Sequence, residues 1–314
     1  MLLPILSLLA GFILLMWSAD TFTDNGAKIA RIFNISPLII GLLIFGFGTS
    51  APEMLVSGLA AYDGHPEMSI GNAFGSNILN IGLVLGVTAI ILPITVEKSV
   101  LKKEWLFLFL STLIVGFLLL DGFLSFTDGL ILISLLTLFL INVFRESKKN
   151  NLTDSDNDSL ENNLQKNDKG RTWLLLIVSL IILVSSARLV VWGGTSLALS
   201  FGVSDLIIGL TVVALGTSLP ELAVSISSAL KKQHQMVIGN IIGSNLFNTL
   251  GVLAIPGLIL PFQIPTEVMS RDYIFMLMFT LLVLILSMRL KISRFGGFIL
   301  LTALAIYLYQ LFWI

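Results

Sequence analysis

The strongest constraint in this sequence is a short stretch that occurs twice inside hydrophobic runs. The first copy reads Gly46-Phe47-Gly48-Thr49-Ser50-Ala51-Pro52-Glu53, the second Ala214-Leu215-Gly216-Thr217-Ser218-Leu219-Pro220-Glu221. Each run is long enough to span a bilayer, and each puts a carboxylate where hydrocarbon belongs. One ionisable group at that depth is disfavoured by at least ~2.5–3.5 kcal/mol on insertion scales. Two in matched positions argue for a cation held between the glutamates. A packing kink with a snorkelling acid would explain one copy, but duplication at the same register disfavours it.

The rest of the composition agrees with a lipid environment. Of 314 residues, 56% are hydrophobic and 12% charged, where a soluble domain carries about 25% charged residues. Mean hydropathy is +0.97. The expected fold class is an all-α integral membrane protein with the bilayer as solvent. With no cysteine there is no disulfide framework, thiolate metal site or cysteine nucleophile. His65 and His234 both fall in short connections, which disfavours a histidine metal site. The apolar N-terminus lacks a basic region and a small-residue cleavage site, and reads as a first transmembrane helix. A net charge of −1 says nothing about partners. No nucleic-acid partner is expected. No nucleophile–base pair, phosphate loop or metal-hydrolase motif is present, so an enzyme is not expected.

A spanning helix needs ~20 mostly apolar residues. Such runs predict ten helices, near 2–19, 36–61, 69–92, 104–120, 124–144, 172–199, 204–230, 236–260, 272–288 and 295–313. Residues 145–171 are rich in Asn, Asp, Ser and Lys, and are expected to form a solvated, disordered linker. It divides the chain into five-helix halves, 1–144 and 172–314. The halves repeat with an offset of 168, which pairs Gly41 with Gly209, Thr49 with Thr217, Glu53 with Glu221, Gly71 with Gly239, Asn72 with Asn240, Ser76 with Ser244 and Asn80 with Asn248. From Ser36/Ser204 to Asn80/Asn248 no gap is needed, and about half the pairs are identical. Five is odd, so the second half must enter the membrane inverted. Inverted repeats mark transporters, with a site near the midplane between them.

Lys and Arg mark cytoplasmic loops. Lys28, Arg31, Lys98, Lys102, Lys103, Arg145, Lys148, Lys149, Lys166, Lys169, Arg171, Lys231, Lys232, Arg289, Lys291 and Arg294 all fall in alternate connections, Arg271 being the clear exception. The expected location is the cell membrane, with both termini outside and the linker cytoplasmic.

Proline within a helix lacks an N–H and clashes with the carbonyl four residues back. Pro52 and Pro220 are therefore expected to break their helices at the midplane and free the carbonyls of Gly48 and Gly216. Non-helical backbone at that depth must be buried in protein or line a cavity. Free carbonyls, the hydroxyls of Thr49, Ser50, Thr217 and Ser218, and the carboxylates of Glu53 and Glu221 form an all-oxygen set. That set suits Ca²⁺, which takes 6–8 oxygens. The third and eighth helices begin Gly71-Asn72-Ala73-Phe74-Gly75-Ser76-Asn77 and Gly239-Asn240-Ile241-Ile242-Gly243-Ser244-Asn245. Ser76 and Asn80 share one helix face, as do Ser244 and Asn248. Gly-x-x-x-Gly also permits close packing, and Ser and Asn can bond between helices; both roles can hold at once.

The paired Gly-Thr-Ser-x-Pro-Glu and Gly-Asn-x-x-Gly-Ser-Asn motifs resemble the two α-repeats of the cation/calcium exchanger superfamily, residues 36–85 and 204–253, most closely its prokaryotic sodium/calcium branch. The resemblance implies antiport with Ca²⁺ and Na⁺ as transported ions and no cofactor. It implies a Ca²⁺ site of Glu53, Glu221 and the Thr49 and Thr217 carbonyls. It implies Na⁺ sites on either side, one using the Gly46 carbonyl, Thr49, Ser76 and Glu53, the other the Ala214 carbonyl, Thr217, Ser244 and Glu221. Asn80 and Asn248 would flank the middle, with Ser50 and Ser218 in support. Potassium-dependent members carry Asp at one middle position; here both are Asn, which favours potassium independence. A monomer is expected. Coupling to H⁺ or K⁺ on the same fold, and a cation channel, are the alternatives.

Asp154, Asp156 and Asp158 begin like an EF-hand, but Ser159 and Gln165 stand where Gly and Glu are needed. Arg188 lies late in the sixth helix, paired by the repeat with Asp20. Each is expected to reach its charge toward an interface, with gating as the alternative role.

Overall fold

A computed structural model of the chain describes residues 2–151, 169–201 and 214–313. Besides a five-residue helix at Lys98–Lys102, the helices are α1 (Leu2–Ile32), α2 (Pro37–Tyr62), α3 (Pro66–Ile91), α4 (Glu104–Leu118), α5 (Phe126–Asn151), α6 (Lys169–Ser200), α7 (Leu219–Leu230), α8 (His234–Ile259), α9 (Val268–Ser287) and α10 (Arg294–Trp313). A short turn, Ala214–Thr217, precedes α7. Among the described residues, eight helices are long and apolar enough to cross a membrane. The protein is therefore helical and spans the membrane several times. Helices α4 and α7 are shorter, and length alone does not bring the number to ten.

Three boundaries differ from expectation. Helix α1 runs to Ile32, well past residue 19. Its polar continuation is helical because Phe22, Thr23, Asn25, Gly26 and Ile29 are buried against neighbouring helices, which hydropathy cannot register. Both flanks of the linker are also helical, through Asn151 and from Lys169. Residues 152–168, with the rejected EF-hand stretch, lie outside the described residues, as do 204–213 of the seventh expected helix.

The apolar interior forms two clusters. The larger surrounds α3 and α8 with side chains such as Phe74, Trp105, Ile241, Leu250 and Phe279. Every residue of α8 from Met236 to Leu246 is buried. The smaller gathers where α1 and α6 meet α2, around Phe22, Phe45 and Leu183. Helices α1 and α6 pack along each other, with the Ser7 hydroxyl donating to the Leu189 carbonyl at 2.9 Å. The exceptional Arg271 is ion-paired with Asp272 at 2.9 Å, and Tyr307 donates to the same carboxylate at 3.1 Å. Its charge is thus neutralised locally.

The 168-residue offset reappears in the backbone. Strand β1 (Ile94–Thr95) pairs antiparallel with β4 (Lys291–Ile292), and β2 (Phe123–Leu124) with β3 (Phe262–Gln263). The offset maps β1 onto β3 and β2 onto β4, so the pairing is unchanged when the halves are exchanged. Left-handed backbone recurs likewise: Gly64 (φ 86°) matches Lys232 (φ 59°), and Gly122 (φ 74°) matches Leu290 (φ 56°). A left-handed L-residue costs roughly 1–2 kcal/mol. Because Leu290 is exposed, Leu290→Gly loses little burial and is expected to stabilise the protein by about 0.5–1 kcal/mol, measurable as a higher unfolding temperature in detergent.

Candidate functional site

The two repeated stretches are built differently. Helix α2 contains a π-helical segment, Gly41–Phe45, then continues as α-helix through Gly46–Tyr62 with Pro52 inside it. The expected break at Pro52 does not occur. The wider turn lies upstream of the proline, a kind of segment frequent at functional sites. Thr49 Oγ donates to the Phe45 carbonyl at 2.9 Å. In the second copy the break is real. The turn Ala214–Thr217 ends at Ser218 (φ −89°, ψ 2°), and α7 restarts at Leu219 with Pro220 in its first turn. Proline is harmless there, since the first N–H groups of a helix have no intrahelical partner. Glu221 occupies that same first turn, where the helix dipole favours a negative charge.

Both glutamates are buried, Glu53 to 2% exposure and Glu221 to 1%, and they lie within electrostatic reach of each other. Buried polar groups are almost always hydrogen-bonded. Here a matched set is not. Glu53 Oε2, both Glu221 oxygens, the Ser50 and Ser218 hydroxyls, and both amide atoms of Asn80 and Asn248 are buried with no hydrogen-bond partner. All three pairs obey the 168 offset. Asn80 and Asn248 lie in π-helical segments, Asn80–Leu85 and Phe247–Val252. The first packs against the helix of Glu221 and the second against that of Glu53, so the helix carrying each glutamate lies against the asparagine segment of the other half.

Helices α2 and α8 cross where glycine meets glycine. A Cβ on Gly46 would stand 2.8 Å from Gly243 Cα, and one on Gly41 2.9 Å from Gly239 Cα. At this crossing the Ser244 hydroxyl lies 3.2 Å from Thr49 Oγ and donates weakly to the Gly46 carbonyl at 3.5 Å. The family resemblance groups Ser244 with Ala214 and Thr217; the structure bonds it to the first copy instead, because the glycine contact brings α8 against α2 there. Ser76 is buried on α3 and contacts Asn72 at 3.5 Å. The turn holding Ala214 and Thr217 packs against α3.

Asn72 and Asn240 were legible only as motif letters, yet they position the acids. Asn72 Nδ2 donates to the Glu53 carbonyl at 3.2 Å and Ser57 Oγ at 3.0 Å. Asn240 Nδ2 donates to the Glu221 carbonyl at 3.3 Å and Ser225 Oγ at 3.0 Å. The signal was available, for Asn72/Asn240 and Ser57/Ser225 are identical at the repeat offset. A cavity of about 390 Å³ reaches Glu53 between α2 and α6, lined also by Pro52, Val56, Arg188 and Thr217.

The chemistry on offer is uniform. Carboxylate, hydroxyl and amide oxygens converge, and among the described residues no cluster of three or more His, Cys, Asp or Glu exists. Such a set takes a hard, oxygen-preferring cation and supplies at most two negative charges.

Comparison with known proteins places this chain in a family. The family description "Sodium/calcium exchanger protein" matches twice, over residues 3–145 and 171–313, and the two matches are themselves 168 residues apart. The chain is 36% identical to inner membrane protein YrbG of Escherichia coli (strain K12), covering 100% of this chain and 98% of the relative. It is 28% identical to sodium/calcium exchanger MaX1 of Methanosarcina acetivorans, over 98% of each. Among solved structures, the sodium-calcium exchanger NCX_Mj soaked with zero Na⁺ and Ca²⁺ superposes with a TM-score of 0.85 at 36% identity, over 99% of both chains. The chain belongs to the sodium/calcium exchanger family, in its prokaryotic branch.

Proposed function

We propose that this protein is a secondary antiporter that exchanges Na⁺ for Ca²⁺ by alternating access, with the ions held between Glu53 and Glu221. The observation that carries the reading is the matched set of unpartnered buried oxygens on Glu53/Glu221, Ser50/Ser218 and Asn80/Asn248. Thr49, Thr217, Ser76, Ser244 and the carbonyls of Gly46 and Ala214 complete the proposed ligand set. Two fixed charges match one Ca²⁺ or a small number of Na⁺. An occupied site is neutral and can cross the low-dielectric interior; an empty, charged one is held back. That difference favours exchange over leak.

The proposed architecture is ten helices in two inverted repeats, 1–144 and 172–314. Strand pairing supports it. Helix α9 is long enough to cross, so β3 and β4 at its two ends lie on opposite faces. Their partners β2 and β1 flank α4, so α4 must also cross, although it has 15 residues. The charge pattern supports cytoplasmic placement of the linker and external termini, in the cell membrane. With that orientation the cavity between α2 and α6 opens on the outer half. Consistent with this, the NCX_Mj structures are described as concerning extracellular ion exchange and binding-site occlusion. Helices α1 and α6, which share a separate apolar cluster, are the candidates for the moving pair.

The test is Ca²⁺ uptake into proteoliposomes loaded with Na⁺ and diluted into Na⁺-free, K⁺-free buffer. Uptake that requires internal Na⁺ supports the reading. Uptake that follows an imposed pH or K⁺ gradient would transfer the coupling to that ion, and flux with no counter-ion requirement would make the protein a channel. Because ionised carboxylates hold the ion, external acidification is expected to raise the Ca²⁺ concentration needed for half-maximal uptake. Excess Ca²⁺ should restore the rate; a purely structural effect of acid would not be reversed in this way.

A further inference from the structure

Lys231, at the end of α7, bridges Asp20 at 2.7 Å and Asp24 at 2.7 Å, both on α1. Its ammonium also donates to the Asp20 carbonyl at 2.9 Å, and Ser227 on α7 bonds the same Asp20 carboxylate at 3.2 Å. Here α1 packs closely along α7. The repeat maps Asp20 onto Arg188 and Lys231 onto Asp63. Lys231 follows Glu221 by ten residues, and Asp63 follows Glu53 by ten. Exchanging the halves thus turns Asp20–Lys231 into Arg188–Asp63, again an acid–base pair, with the sign reversed at both positions. Shared descent of the halves would preserve charge type; preserving only opposite charge, while both members change, points to the pairing itself.

The two pairs differ in state. Among the described residues neither Arg188 nor Asp63 has an ion-pair partner. Both are exposed, and Arg188 lines the cavity between α6 and α2. Helix α6 meets α2 over a much shorter stretch than α1 meets α7. We propose that Asp20–Lys231 and Asp63–Arg188 are reciprocal ion-pair latches: the first closes the inner side when the outer side is open, and the second forms when α6 closes on α2. This rests on the alternating-access reading. Each latch holds only one of the two end states, so each biases the equilibrium without contacting the transported ions.

The native chain has no cysteine, so Val56→Cys on the cavity wall gives a single reporter for a membrane-impermeant maleimide in intact cells. Lys231→Gln is expected to slow labelling about two- to five-fold, the span of an exposed ion pair. Arg188→Gln and Asp63→Asn, each in the Lys231→Gln background, are expected to bring the rate back toward the parent. The exchanged pair Asp63→Arg with Arg188→Asp should label like the parent, which also controls for misfolding. The latches are overturned if Lys231→Gln leaves labelling unchanged. They are also overturned if Arg188→Gln acts while Asp63→Asn does not, since Arg188 would then be answering Glu53, or if the exchanged pair fails to restore. Labelling requires no transported ion. A protein that fails Na⁺/Ca²⁺ exchange but passes these tests would lose the proposed cargo and keep the latches.

Discussion

Replacing Glu221 with glutamine is expected to reduce Na⁺-driven Ca²⁺ uptake by about ten-fold or more and up to ~100-fold, and Glu53→Gln to do the same. Glutamine keeps the shape and one oxygen but removes half the charge of the site. Losing a charged ligand interaction is worth about 1.5–3 kcal/mol, and ~100-fold corresponds to roughly 2.8 kcal/mol. The stability effect should have the opposite sign. Two buried carboxylates within electrostatic reach oppose each other without a cation, so either substitution should leave ion-free protein as stable or more stable. Ca²⁺ at ~100 times its dissociation constant would stabilise the parent by about 2.7 kcal/mol, and that protection should disappear in both variants. Thermal unfolding in detergent, with and without Ca²⁺, checks this beside the uptake assay. A structural acid would behave otherwise, its loss lowering stability in both conditions. If both variants exchange normally, the ion is held elsewhere.

The repeat was legible because it is written in residue identity. Gly, Pro, Asn, Ser and Glu at fixed offset survive as letters, and the strand pairs and left-handed turns then fall at the same offset. What stayed hidden depends on contacts between distant segments. The extension of α1 beyond Ala19 is polar on one side, and its burial against α2 and α6 makes it helical. Pro52 and Pro220 occupy equivalent letters, yet one lies inside a continuous helix and the other in the first turn of a new one. Local rules treat them alike; what separates them is the backbone at Ser218, where the second helix starts afresh. The placement of Ser244 beside Thr49 follows from how α8 crosses α2, which single-helix spacing cannot give. Asn72 and Asn240 were visible in the motif, but their task of gripping the glutamate backbones needed the fold.

That crossing yields the second large effect. Gly243→Ala is expected to destabilise the protein by about 2 kcal/mol. The new Cβ would stand 2.9 Å from Leu42 Cα and 3.0 Å from its carbonyl carbon. These are backbone atoms, so no rotamer change relieves the contact and the helices must separate, an overpacking penalty near ~3 kcal/mol. Alanine returns up to ~1 kcal/mol through helix propensity, and the clash still wins. Gly58→Ala, on the facing helix α2 but away from the crossing, isolates the propensity effect. Its Cβ would meet only Ile255 at 3.7 Å, so it should be neutral or stabilising by up to ~1 kcal/mol. Function should separate the two further. Gly243 is adjacent to Ser244, whose hydroxyl lies 3.2 Å from Thr49, so parting the helices moves two proposed ligands at once. Gly243→Ala should therefore lower Ca²⁺ affinity in the uptake assay even at temperatures where it remains folded, while Gly58→Ala transports like the parent. Equal behaviour of the two variants would mean that the glycine contact neither limits the helix approach nor sets the ligand spacing.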